Sequence, residues 1–143
     1  MLKPLLLLSA ACLFVLSPAL MQASGSQDAA PAPAASHAGA PNPIKPTAEG
    51  QTKAKTLFEI DCAMCHGENG NGKTDLAKSM GLTIVDFTDA KVMSAKTDGD
   101  LFDIIRNGKD KMPPEASGRA NDNTVWNLII FIRKMSNAPA AAK

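Results

Sequence analysis

The chain has 143 residues, a length that favours one domain, and 45% of them are hydrophobic. Fifteen Lys and Arg are set against fourteen Asp and Glu, for a formal charge of +1 at pH 7. This near balance excludes the broad basic face of a nucleic-acid binder, so no nucleic-acid partner is expected.

Residues 1–23 read as a secretory signal. Lys3 supplies the positive start, Leu5 to Leu16 the apolar run, and small residues follow. Cleavage after Ala19 or Ala23 fits, with Ala23 preferred. The apolar run falls short of the ~20 residues that span a bilayer. An uncleaved leader, or lipidation of Cys12, is the alternative, and either would tether the chain to the outer face of a membrane. The expected location is the periplasm. Residues 24–50 are rich in Ala and Pro, which disfavours helix and packs no core, so they read as a disordered linker. His37 lies inside this stretch and is expected to be solvated rather than a metal ligand.

A folded domain is expected over residues 51–137, with a flexible tail at 138–143. Thr52 can cap a first helix whose apolar stripe includes Ala54, Leu57 and Phe58 and which ends at Cys62–His66, stopped by Gly67. Glu68 to Gly72 reads as a loop. Short helices are expected over Asp75–Met80 and Thr88–Ala95, while Leu82–Phe87 has no clear period. Thr97 with Asp100 three residues on forms a capping box, opening a helix that Asn107-Gly108 closes. Pro113 and Pro114 force a loop. Asn121 or Asp122 then caps a last helix, apolar on nearly all sides from Val125 to Met135 and therefore buried on more than one face.

Cys62-Ala63-Met64-Cys65-His66 is the stretch that carries chemistry. Two thiols three residues apart, followed directly by histidine, form the attachment signature of a c-type haem. Each sulfur can add across one vinyl group of the porphyrin, and His66 can give an imidazole nitrogen to the iron. A CxxC disulfide or half a zinc site is the competing reading. Zinc would want two further ligands, and only Cys12 and His37 remain.

The second axial position can be open or take a thioether. Met64 lies between the cysteines, on the wrong side. Met135 fits the last helix's apolar stripe, and Met80 and Met93 lie in short segments. Met112 sits in the proline-stiffened loop, 46 residues after His66, so the chain has room to pass the ring edge and return on the other face. Met112 is therefore read as the axial ligand, against the alternative that it only fills a gap in the core. His66 with Met112 would fill both axial positions, leaving one-electron transfer as the chemistry and no enzymatic role. No nucleophile with an orienting base is evident elsewhere.

These residues resemble the class I c-type cytochromes, particularly the small single-haem bacterial ones. Leu57-Phe58 before the haem motif, Asp98 to Gly108, Lys111-Met112-Pro113-Pro114 and Trp126 to Met135 look like that family's N-terminal helix, pre-ligand helix, axial-methionine motif and C-terminal helix. The resemblance implies an all-α, cytochrome c-like fold, three main helices plus short ones wrapped around one covalent haem c, with first and last helices crossing near Phe58 and Phe131. It implies a monomeric electron carrier between redox protein partners. A haem-c subunit of a larger respiratory oxidoreductase, or a haem sensor or peroxidase, is the alternative. The family often has a proline soon after the haem motif, whose carbonyl accepts the histidine ring N–H. None stands between His66 and Met112, and a carbonyl near Thr74 is the expected substitute.

Overall fold

The computed structural model describes residues 36–137 and 139. The expected signal, Cys12, most of the expected linker and nearly all of the tail lie outside the described residues. Those described are helical, with no β-strand and one isolated bridge, between Lys109 and Met112.

The first helical run begins earlier than the sequence suggests. Thr47, not Thr52, is the cap: its hydroxyl accepts from the Gly50 amide at 3.0 Å, and α1 runs Ala48–Leu57. Thr52 sits inside the helix, its hydroxyl donating to the Ala48 carbonyl. Gly50 reads as a helix breaker, but here it allows close approach, since a Cβ would come within 2.6 Å of Asn127 Oδ1. α1 passes directly into a π-helical turn, Phe58–Cys62, and then into α2, Ala63–His66, with helical backbone angles at both junctions. A single π turn inserted in a helix commonly marks a functional site. Nothing in the residue pattern announces this one.

Three short or medium helices follow: α3 (Asp75–Ser79), α4 (Ala90–Ser94) and α5 (Asp98–Asn107). At α5 the expected capping box is present, the Thr97 hydroxyl accepting from Asp100 N and the Asp100 carboxylate accepting from Thr97 N. α6, Asp122–Ser136, is capped by Asn121.

α6 is the centre of the packing. Val125, Trp126, Leu128, Ile129 and Ile132 are buried among Ala54 and Phe58 of the first run and Leu101, Phe102 and Ile105 of α5. The first helical run meets α6 at the expected aromatic pair, Phe58 of the π turn and Phe131, with ring centroids 5.5 Å apart. One buried polar feature had no sequence signal. Arg133 points from α6 into the core side of α4 and α5, with Nε 2.9 Å from Asp98 Oδ1 and Nη2 2.6 Å from the Lys96 carbonyl. Its Nη1 also donates to the Met93 carbonyl. Several partners on one planar guanidinium are what make such a buried charge tolerable.

The linker expectation fails over residues 36–50. His37 is not solvated: its side chain is 36% exposed, its ring lies 4.4 Å from Phe102 and 5.7 Å from Trp126, and Nδ1 is 3.1 Å from Asp103. Its amide and the Ser36 hydroxyl also donate to the Asp103 carboxylate. Asn42 donates to the Trp126 carbonyl at 3.0 Å, and Ile44 packs on the core. Composition misleads here because a few anchors, spaced along an Ala/Pro chain, suffice when α5 and α6 supply their partners.

Candidate haem centre

The attachment segment is shaped by what flanks it. Cys62 closes the π turn and Cys65 and His66 end α2, so both thiols and the imidazole fall on one helical surface. Gly67 ends the helix at φ +79° with its amide on the Ala63 carbonyl. The loop then folds back, and the Gly72 amide donates to the His66 carbonyl at 2.7 Å. Gly70 and Gly72 make this return path fit, since a Cβ on either would strike Met135 and Phe87, or Ile84. The glycines read only as a loop in sequence. In space they press the attachment segment onto Phe87 and Ile84.

Both thiols are free and half-buried. Burial, then the Asp61 and Glu115 carboxylates, push the Cys62 thiol up to about 12. A thiol so resistant to ionisation is a poor nucleophile for disulfide exchange, which argues against a dithiol redox role. Nor do the cysteines and histidine converge as zinc ligands would: among the described residues no three His, Cys, Asp or Glu side chains are placed to hold a metal ion.

His66 lies against a residue that the sequence reading passed over. Phe87 stacks on the imidazole at 4.5 Å and 11°. Phe87 is itself buried, and its amide donates to the Gly70 carbonyl. The only sequence signal was one aromatic in an aliphatic stretch of no clear period. His66 titrates below the ordinary histidine value because burial penalises the imidazolium, with the Val85 main chain acting the other way. The expected carbonyl near Thr74 is not used. The Thr74 hydroxyl instead donates to the Cys65 carbonyl at 3.3 Å, and His66 Nδ1 is buried with no hydrogen-bond partner.

Met112 lies in a two-residue reversal. Lys109 and Met112 exchange main-chain hydrogen bonds of 3.1 and 2.8 Å across Asp110 and Lys111, with Asp110 at φ +53°. Gly108, at φ +75°, lets the chain pass under it: a Cβ would come 2.5 Å from the Met112 carbonyl. Beyond the prolines the loop is pinned to α5, by Glu115 N on the Ile105 carbonyl and Arg106 Nη1 on the Glu115 carbonyl. Met112 and Cys62 are both half-buried and pack on the same core cluster.

A buried imidazole nitrogen without a partner, two free thiols and a half-buried thioether form a soft donor set. It fits a c-type haem and no hard cation. Two surface grooves, of about 350 and 510 Å³, are lined by none of these four residues, though the larger is bordered by Asp61 and Arg119.

Residues 49–132 match the model of the family described as cytochrome c oxidase, cbb3-type, subunit III. The chain belongs to this family. It is a class I c-type cytochrome, with the all-α cytochrome c fold, and its cofactor is covalently bound haem c. Among curated relatives it is 29% identical over 83 residues to the Cbb3-type cytochrome c oxidase subunit CcoP of Azospirillum brasilense, covering 58% of this chain and 28% of that protein. It is 29% identical over 81 residues to the subunit FixPc of Rhizobium leguminosarum bv. viciae, covering 57% and 26%. The cytochrome thus matches little more than a quarter of those relatives' length. A chain of the Kuenenia stuttgartiensis reducing HAO-like protein complex Kustc0457/Kustc0458 shares the fold, with a TM-score of 0.53 at 24% identity over 65% of this chain and 46% of that one.

Proposed function

We propose that this cytochrome passes single electrons as the haem-c unit of a larger respiratory oxidoreductase on the periplasmic side of the membrane. In this reading Cys62 and Cys65 would hold the haem through two thioether bonds, and His66 and Met112 would supply the nitrogen and sulfur that ligate its iron. The bound haem supplies the Fe(II)/Fe(III) couple, whose potential a soft thioether raises. The chain's own residues do the rest. Phe87 backs the imidazole and burial keeps it neutral, while Gly108 and the Lys109–Met112 reversal hold the thioether in a stiff loop. With His66 and Met112 both given to the iron, the centre would offer oxygen or peroxide no free position, and the chemistry it would supply is electron transfer.

The observation that carries the reading is that the Met112 loop and the attachment segment, far apart in sequence, pack on one core and are joined by the Arg119–Asp61 ion pair. The relatives' printed description as oxidase subunits favours work within a complex over free diffusion. Lys109 and Lys111, exposed beside Met112, are suited to meet an acidic partner.

Met112→Ala is expected to abolish the weak long-wavelength charge-transfer band of the ferric protein and to lower the midpoint potential by on the order of 0.1 V. An unchanged band and potential would overturn the axial assignment. Detergent extraction of native membranes and purification of the tagged chain is expected to recover other haem-bearing subunits with it. Recovery as a lone soluble protein would favour the free carrier.

A further inference from the structure

The loop that carries Met112 has no helix of its own between Gly108 and Asn121. The anchors at Gly108, Ile105 and Arg106 fasten it to α5. An iron held between Met112 and His66 needs that loop fixed relative to the attachment turn as well. Arg119 is the ion-pairing side chain that makes this crossing. Its Nη2 pairs with Asp61, the residue before Cys62, and its Nε lies 3.5 Å from Glu115 Oε1, three residues after Met112. We infer that Arg119 is a positioning residue for the haem centre, a latch between the attachment turn and the methionine loop that sets how readily Met112 leaves the iron.

The surroundings decide whether such a pair matters. Arg119 is 59% exposed, and an ion pair at that exposure is ordinarily worth little. Its partners differ: the Asp61 and Glu115 side chains are only 17% and 13% exposed. Glu115 Oε1 is buried without a hydrogen bond. The Glu115 carboxyl titrates above its ordinary range, through burial first and the neighbouring Asp61 charge second. Two poorly solvated carboxylates thus face each other with Arg119 between them. Removing the guanidinium leaves repulsion across the very seam that must stay closed. The second arginine does not substitute. Arg106 spends its Nη groups on the Glu115 carbonyl and on Asp122, securing the loop's main chain to α5 and to α6.

This inference rests on Met112 as the axial ligand, and its test separates the two. Holoprotein is prepared as parent, Arg119→Gln, Asp61→Asn, their double variant, Arg119→Lys and Met112→Ala. Carbon monoxide binding to the ferrous form is followed by stopped flow, and the ferric charge-transfer band is recorded. Arg119→Gln is expected to speed carbon monoxide binding about tenfold and weaken the band, at unchanged helix content. Asp61→Asn, which keeps the side-chain shape, should act in the same direction. It gives the same reading should Arg119→Gln load haem poorly. The double variant should add less than the two singles together, and Arg119→Lys should recover part of the parent rate. Parent-like rates in both single variants, beside rapid binding in Met112→Ala, would overturn the latch and leave the axial assignment standing. Slow binding in Met112→Ala itself would overturn both.

Discussion

Gly108 shows how one residue can decide where the proposed ligand Met112 sits. Its positive φ is a conformation that side chains other than glycine adopt at a cost of roughly 1–3 kcal/mol. A Cβ would also meet the carbonyl of Met112 itself, at 2.5 Å. Gly108→Ala is therefore expected to destabilise the holoprotein by about 2 kcal/mol in urea denaturation and to diminish the methionine charge-transfer band. A variant with parent stability and an intact band would show that the loop tolerates the shift. At this scale the candidate site is largely legible in the sequence: Cys62, Cys65 and His66 stand out by the spacing of thiols and imidazole that haem attachment needs, and the proposed ligand Met112 by the prolines behind it. Phe87, Arg119 and Asp61 were not legible, because each acts through a neighbour distant in sequence. Asp61 and Arg119 read as ordinary surface charges until the fold brings them together.

Among the elements, α5 was the most predictable, since its capping box, apolar run and terminal glycine are all local signals. The start of α1 was missed because Gly50 looks unfavourable unless Asn127 of α6 is known to lie against it. The segment 36–44 was missed for the same kind of reason. Its docking on α5 gives a pH signature. Burial pushes the Asp103 carboxyl up, but the His37 amide, the Ser36 hydroxyl and the His37 ring outweigh it and hold it below the ordinary carboxylate range. A carboxyl lowered in the folded state contributes stability that is present above the unfolded value and lost as pH falls through the folded one. Amide hydrogen exchange at His37 is expected to show protection near neutrality that fades in acid below the usual aspartate range, with α6 amides unaffected. Equal loss in both segments would mean that the docking is not set by Asp103. Asp103→Asn should remove this pH dependence and leave the α5 fold intact.

The whole molecule is small for what it must hold. A domain of about 100 residues buries roughly two thirds of the surface its unfolded chain exposes, so its stability margin is modest. Covalent haem would add apolar contact to the same cluster that already includes Met112 and Cys62. The haem-free protein, obtained from Cys62→Ser with Cys65→Ser, is expected to show markedly reduced helical circular dichroism and no cooperative thermal transition. Native helix content in that protein would show that α1, α5 and α6 suffice by themselves.

The sequence by itself determined the cofactor, the helical class and the positions of α5 and α6, and it supplies the candidate attachment residues. Haem attachment needs a fixed spacing of thiols and imidazole, and caps and apolar stripes act within a few residues. Only the tertiary structure decided the support of the site: the π turn under Cys62, the Phe87 ring against His66, the docking of His37 and the ion pair from Arg119 to Asp61. Those contacts join residues tens of positions apart. Their energy depends on burial and mutual approach, which no local pattern of residues encodes.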